Sequence, residues 1–208
     1  MVDVRGQEER GVDVGGVYRD ANACFWQEFY DSSTLGERER VPDLRHDFQP
    51  SEWSATGRIL TKGYLDLGYF SCTPNQAFIV SVIFGENAVA KEILLKSFRN
   101  YIAKDEEDVV AEALKGNFDS DEPIDVICRF GCRKVPTIEN ARDLILEMAH
   151  KEMIQKPQYV ADAWREALVI LNSKEELTKI QSLCHLYQTV VPNHDTGKSS
   201  KQPVEGGN

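Results

Sequence analysis

The feature that most constrains the fold is the spacing of apolar residues, which recur every three or four positions along most of the chain. This period places apolar side chains on one face of an α-helix and is typical of helices that share a core. The clearest case is the dense apolar run Phe78–Phe84, which Gly85 ends. We expect a core helix there, with Thr73 as its cap and Pro74 at its first position.

The same period predicts further helices, each bounded by its own start or end signal. Gly68, Gly116 and Pro157 are typical helix breakers between them. Two predicted helices begin at Val17 and near Ser51. Four more cover residues 88–103, 106–115, 139–155 (capped by Thr137) and 158–172. A capping box at Ser173–Glu176 opens the last predicted helix.

Strands are expected at only a few places. Val2–Arg5 alternates apolar and polar residues, and Ile124–Val135 is rich in β-branched and aromatic residues, which favours a hairpin or two short strands. Ser32–Arg40 and the acidic segment Phe118–Pro123 are interpreted as solvated loops. The fold class is therefore mainly α with a few short β-strands (α+β), as one domain over residues 1–191 with a disordered polar tail at 192–208.

The composition limits the classes of binding partner that we expect. The chain has 208 residues, enough for one domain with a core that needs no disulfides. Its net charge of −10 disfavours nonspecific binding to nucleic acid or to anionic membranes. Neither a signal peptide nor a membrane span is visible. We therefore expect a cytoplasmic or nuclear protein that binds other proteins, with no nucleic acid and no membrane.

No complete catalytic or cofactor site is visible in the sequence. Gly11, Gly15 and Gly16 do not have dinucleotide-loop spacing, and no Gly-Lys-Ser/Thr of a phosphate loop follows them. We interpret them as a helix start at which Gly15 and Gly16 permit close packing. The cysteines lack metal-ligand spacing and are interpreted as buried, reduced thiols, and His46 beside Asp47 is interpreted as a surface histidine: Cys24, Cys72, Cys128, Cys132, Cys184. We expect no catalytic residues, no metal and no cofactor.

The glycine stretch also carries a family resemblance. Gly11–Arg19 resembles the Asp-x-Gly-Gly-x-x-Arg signature near the start of HECT-type ubiquitin ligase domains, with Asp13, Gly15, Gly16 and Arg19 in the matching positions. Val14 stands where the family usually has Ala, and Asp20-Ala21 where it has Glu-Phe. Further segments are similar to the family in the same order, including the passage that contains Thr137 and Asn140: Leu60–Gly85, Phe130–Asn140, Lys156–Leu168 and Ser173–Leu177.

The resemblance implies part of the mostly helical N-terminal lobe of a HECT domain, most like divergent, cell-cycle-phase-specific ligase-like members. In the family, the cysteine that accepts ubiquitin lies in a C-terminal lobe, and none of the cysteines here has its Leu-Pro…Thr-Cys context. The resemblance thus implies a non-catalytic scaffold or regulatory fragment in ubiquitin transfer, inactive alone as a ubiquitin-protein transferase. Two alternatives remain open: a fragment or isoform of an active HECT ligase, and a helical interaction module unrelated to ubiquitin. Exposed apolar surface and self-association are also expected.

Overall fold

A computed structural model describes residues 16–68, 73–117, 122–132, 134–173 and 177–190. Of the described residues, 74% are helical and 4% are in strands, which confirms the prediction of a mainly α protein. The helices are α1 (Gly16–Ser33), α2 (Pro50–Leu67), α3 (Gln76–Phe84), α4 (Lys91–Tyr101), α5 (Lys104–Leu114), α6 (Glu122–Arg129), α7 (Ala141–His150), α8 (Gln158–Leu168) and α9 (Ile180–Val190).

Short elements complete the described chain. Strands β1 (Thr34–Leu35) and β2 (Val41–Pro42) pair antiparallel, with Thr34 opposite Pro42. These strands lie within and just after a segment predicted as a solvated loop. A π-helical turn, Lys151–Gln155, follows α7, and 3₁₀ turns occupy Glu86–Ala88 and Val169–Ser173.

The buried residues form two clusters that meet at helix α3. The first, called here the aromatic cluster, joins α1, α2, α3, α8 and α9 around Trp26, Trp53 and Trp164. The second, called here the aliphatic cluster, joins β2, helices α4 to α7 and the π-helical turn, and includes Leu94 and Ile145. All residues of α3 from Gln76 to Ile83 are buried, and Ala77 belongs to the aliphatic cluster, so α3 is the wall that both cores share.

Helices α2 and α8 approach closely within the aromatic cluster. A Cβ on Gly57 would lie 3.2 Å from the Cα of Trp164, so a glycine there lets the two backbones come together. The indole Nε1 of Trp164 donates a 2.8 Å hydrogen bond to Thr56 Oγ1, and Thr61 Oγ1 donates to the carbonyl oxygen of Ala167 at 3.1 Å. These contacts satisfy polar groups that the aromatic cluster would otherwise bury unpaired.

Several sequence predictions need correction. The predicted strands at Ile124–Val135 are wrong, because residues 122–129 form helix α6. Its β-branched residues pack as one apolar helical face, with Val126 and Ile127 buried together with Pro123. Tertiary burial of this face overrides the β-propensity of the residues. The predicted strand at Val2–Arg5, the capping box and the polar tail fall largely or wholly outside the described residues.

The starts of two helices are also shifted. Helix α3 begins at Gln76 with Asn75 as its cap, because the Asn75 Oδ1 accepts the Phe78 N–H at 3.2 Å. Thr73 and Pro74, predicted as cap and first turn, instead lie beside Arg40 in an isolated parallel bridge. Helix α7 begins at Ala141 with Asn140 as its cap rather than Thr137.

Candidate binding site

The residues of the family signature lie apart from any cavity described below. Asp13 and Gly15 fall outside the described residues. Gly16 is the first described residue of α1, and no described atom lies within 4 Å of the position that a Cβ would take. The close packing predicted for Gly16 is therefore not found among the described residues. Arg19 is exposed, and it takes part in none of the ion pairs between described residues.

Thr137 and Asn140 build the turn that precedes α7. The Thr137 N–H donates to Asn140 Oδ1 at 2.7 Å, and Asn140 Nδ2 donates to the carbonyl oxygen of Val135 at 3.2 Å. The backbone carbonyl of Thr137 accepts the Ala141 N–H at 2.9 Å. These bonds are internal to the turn, so the pair has a structural role there.

The described thiols are free but less buried than predicted. Cys24 and Cys128 are exposed and Cys132 and Cys184 are partly buried, so the prediction of burial is wrong for the first two. Burial raises the pKa of Cys184, although Lys96 and Gln76 oppose the shift. Cys72 lies outside the described residues.

His46 is exposed, as predicted, and its neighbour Asp47 is held by Arg45, whose Nη2 lies 2.5 Å from Asp47 Oδ2. Within the described ranges, no three His, Cys, Asp or Glu side chains are grouped so that they could hold a metal ion. No described helix is both long and apolar enough to cross a membrane.

The chemically distinctive place is a cleft between the β1–β2 hairpin and the π-helical turn. Its cavity measures about 220 Å³. The wall on the hairpin side is apolar except for Asp43, and the opposite wall is polar. The lining residues are Leu35, Val41, Pro42, Asp43, Leu44, Tyr101, Glu152 and Lys156.

The hairpin loop is held in place by the end of α4. The N–H groups of Arg38 and Glu39 both donate to the carbonyl of Asn100, and that of Glu37 donates to the carbonyl of Tyr101, each at 3.0 Å. They satisfy carbonyls that a helix end otherwise leaves unpaired. One wall of the cleft is therefore fixed to the helix that supplies Tyr101.

Glu39 strengthens this attachment. It was interpreted as a solvated loop charge, yet only 4% of its surface is exposed. Its carboxylate accepts the Gln76 N–H, at the start of α3, and the Asn100 side-chain amide, both at 2.8 Å. Burial raises the pKa of Glu39, and the hydrogen bonds from Gln76, Asn100 and Ser97 oppose that shift.

Gly36 sets the position of the Tyr101 ring. Its φ of +116° belongs to the region that favours glycine. A Cβ at this position would lie 2.5 Å from the Glu39 carbonyl oxygen and 2.6 Å from Tyr101 Cδ2. The ring of Tyr101 therefore occupies the space that a side chain at position 36 would need.

The π-helical turn supplies the acidic group of the cleft. The Lys156 N–H donates to the carbonyl of Lys151 at 2.9 Å, five residues back, which adds one residue to the turn. Three consecutive residues are buried as a result, and one of them is charged: Glu152, Met153 and Ile154. Turns of this kind are frequent at functional sites.

The carboxylate of Glu152 is only half satisfied. Its Oε2 lies 2.7 Å from Lys156 Nζ, whereas its Oε1 is buried and has no hydrogen-bond partner among the described residues. Only 4% of Glu152 is exposed, while 57% of the Lys156 side chain is. A buried acceptor without a donor is costly, so a donor that reached this oxygen would stabilise it.

The Tyr101 hydroxyl lies in a negative field. Burial raises the pKa of Tyr101 to about 12, and the charges of Glu152, Asp43 and Glu106 add to the shift. The phenol therefore stays protonated at neutral pH and is available as a hydrogen-bond donor or acceptor. The cleft thus combines an apolar rim, a neutral hydroxyl, and an excess of carboxylate over ammonium.

Sequence reasoning missed the cleft residue Glu152 and two residues that hold the wall of the cleft, Gly36 and Glu39. Glu152 lies within a predicted helix, and Gly36 and Glu39 within a predicted solvated loop. One sequence signal for this site is available. Glu152 and Lys156 are four residues apart, directly before Pro157, and this charged pair interrupts the apolar face that Met153 and Ile154 continue.

Comparisons of the chain with known protein families, with curated proteins and with solved structures find no match.

Proposed function

We propose that this chain is a non-catalytic protein-binding module, a scaffold or regulator in ubiquitin transfer in the cytosol or nucleus. The observation that carries the binding role is the cleft, which is lined by half-exposed leucines and by Glu152, a carboxylate with one oxygen that has no donor among the described residues. Leu35 and Leu44 on this rim are about half exposed, at 51% and 50%. Apolar groups around a few polar ones are typical of recognition sites.

The link to ubiquitin transfer is supported by the HECT-like order of motifs from Gly11–Arg19 to Phe130–Asn140. A mainly helical fold is also what that resemblance implies. These two observations make proteins of the ubiquitin pathway the first partners to test: ubiquitin itself, a conjugating enzyme carrying ubiquitin, and the catalytic domain of a HECT ligase.

The non-catalytic part of the proposal is supported by the state of two thiols. Ubiquitin transfer through a thioester needs a thiolate nucleophile. Burial raises the pKa of Cys184, which disfavours its thiolate. The Cys132 thiol donates to the carbonyl oxygen of Lys134 at 3.8 Å. These surroundings are compatible with the non-catalytic role.

Binding is tested by surface plasmon resonance with the chain immobilised and the three ubiquitin-pathway proteins in solution. We expect saturable binding to at least one of them, weakened about tenfold by Leu44→Asp, which places a charge on the cleft rim. Ile138→Asp is the matched control, because Ile138 is 74% exposed and lies outside the cleft. Absence of binding to all three proteins would overturn the role in ubiquitin transfer.

Catalysis is tested by mixing the chain with activating enzyme, conjugating enzyme and ubiquitin, followed by non-reducing gels. We expect no thiol-sensitive ubiquitin adduct on the chain. An adduct that disappears when one cysteine is replaced by serine would overturn the non-catalytic assignment.

A further inference from the structure

The cleft has an unbalanced set of charges. Asp43 and Glu152 contribute two carboxylates, and Lys156 contributes one ammonium group that is already bound to Glu152 Oε2. Glu152 Oε1 has no donor among the described residues. The chain as a whole has a net charge of −10, which attracts cations over long range.

We propose that the cleft binds a cationic side chain, a lysine or an arginine, presented by an exposed segment of the protein partner. This inference rests on the proposed binding function and names the chemistry of its partner. The ammonium or guanidinium group lies near Asp43 and the carboxylate of Glu152, and its aliphatic part contacts Leu35 and Leu44.

The size of the cavity fits one side chain. Sites for small-molecule ligands usually measure about 300–1,000 Å³, and this cavity is smaller, at about 220 Å³. Long cationic side chains carry an apolar stem and a charged head. Their stem matches the half-exposed leucine rim, and their head matches the acidic floor.

Lys156 does not block this arrangement. Its side chain is 57% exposed. Each carboxylate oxygen has its own lone pairs, so pairing of Oε2 with Lys156 leaves acceptor capacity on the carboxylate. An anionic side chain would instead meet Asp43 and Glu152, and a neutral apolar one would cover Oε1 without supplying a donor.

The charge requirement is tested with short peptides and NMR. The probes are acetylated Ala-Leu-X-Leu-Ala amides in which X is arginine, lysine, citrulline or glutamate, titrated against uniformly labelled protein. Citrulline has nearly the shape of arginine and no charge. We expect shifts at Tyr101 and Lys156 with a Kd of about 1 mM for a single anchoring side chain. Binding should be at least tenfold weaker for citrulline and absent for glutamate.

Matched variants test whether the charge dependence of peptide binding arises in the cleft. Glu152→Gln removes the buried charge, and Asp43→Asn removes the exposed one without disturbing the core. Both should weaken binding of the arginine and lysine peptides, Glu152→Gln about tenfold. Glu166→Gln changes the net charge equally at an exposed site outside the cleft and should leave binding unchanged. Circular dichroism of each variant checks that the fold is intact.

Equal binding of the citrulline and arginine peptides, or unchanged binding by both cleft variants, would overturn the inference. Methylguanidinium and methylammonium test the source of the cation. If they bind as tightly as the peptides, the cleft takes a small amine, which overturns the assignment to a protein side chain.

The failure of this inference is distinguishable from failure of the proposed function. Suppose that a ubiquitin-pathway protein binds wild type and Glu152→Gln equally but binds Leu44→Asp more weakly. This result would overturn only the inference that a cationic side chain enters the cleft. If the cationic peptides bind but no ubiquitin-pathway protein does, only the proposed function in ubiquitin transfer is overturned.

Discussion

Glu39 and Glu152 are both buried carboxylates, each 4% exposed, but they lie in different surroundings. Glu39 accepts hydrogen bonds from Gln76 and Asn100, one at each oxygen, and joins the hairpin loop to α3 and α4. Among the described residues, Glu152 is bound by the half-exposed Lys156 alone, and its Oε1 has no donor although the residue lines a cleft. Full satisfaction is the mark of a structural group, and an empty acceptor at a cavity indicates a binding group.

The largest effect is expected for Glu39→Ala. Truncation leaves the buried Gln76 N–H and the partly buried Asn100 amide without their acceptor, so the free energy of unfolding should fall by about 2–4 kcal/mol. Urea denaturation followed by circular dichroism measures this loss. Glu37→Ala, at an exposed neighbour, is the control and should cost little. Equal effects of the two variants would contradict the structural role of Glu39.

Gly36→Ala should have the next largest effect. The new Cβ would collide with the Glu39 carbonyl and the Tyr101 ring, and the backbone φ is unfavourable for alanine, so a loss of about 1–3 kcal/mol is expected. Gly68→Ala is the matched control. Gly68 also has a positive φ, of 62°, but no described atom lies within 4 Å of its Cβ position. Its substitution should cost about 1 kcal/mol. A control that costs as much as Gly36→Ala would remove the argument from collision.

Glu152→Gln should change stability by less than about 1 kcal/mol, since the pair with Lys156 is partly exposed and one oxygen is unpaired already. Glu39→Gln should cost clearly more, because the new amide NH2 faces one of the two donors, Gln76 N–H or the Asn100 amide, and that donor loses its acceptor. Thermal and urea unfolding of the two variants side by side checks the difference. A larger loss for Glu152→Gln would reverse the assignment of structural and binding groups.

The smallest effect is a difference in pH dependence. Because the pKa of Glu39 is raised above 4.5, the folded protein binds this proton more readily than the unfolded chain. Wild type should therefore gain stability relative to Glu39→Gln as pH falls from neutral towards 4.5.

Glu107 should contribute a pH dependence of stability with the opposite sign to that of Glu39. Burial raises the pKa of Glu107, but the interactions with Lys104, Arg38 and Arg99 lower it by more, so the net pKa lies below 4.5. Its stabilising contribution is present above pH 4.5 and is lost as pH falls through its folded pKa. Urea unfolding of Glu39→Gln and Glu107→Gln from pH 7 to pH 3 measures both trends. Trends of the same sign would contradict this account.

Much of the helical layout is predictable from the sequence. Apolar period and glycine breaks correctly predict α1, the end of α2 at Gly68 and the end of α3 at Gly85. Local signals fail where tertiary contacts decide, as at α6, whose β-branched residues fill the aliphatic cluster. The signature residues Gly16, Arg19, Thr137 and Asn140 can be located, but their role in a HECT-like protein stays a prediction.

The cleft was not predictable for a physical reason. An extra residue in a helical turn has no marker in apolar spacing, and the Glu152–Lys156 spacing before Pro157 does not by itself indicate that the carboxylate is buried. Glu39 is flanked by charged residues, and its burial depends on the amide groups of Gln76 and Asn100, which are distant in sequence. Both positions are set by contacts across the fold rather than by local propensity.

The division into two cores has an optical consequence. The chain's three tryptophans, Trp26, Trp53 and Trp164, all belong to the aromatic cluster. Intrinsic tryptophan fluorescence thus reports on that half of the molecule, whereas the described lining of the cleft has the phenol of Tyr101 as its aromatic chromophore. Because α3 is common to both halves, fluorescence and far-ultraviolet dichroism should trace one unfolding curve. A ligand in the cleft should leave the tryptophan emission almost unaltered.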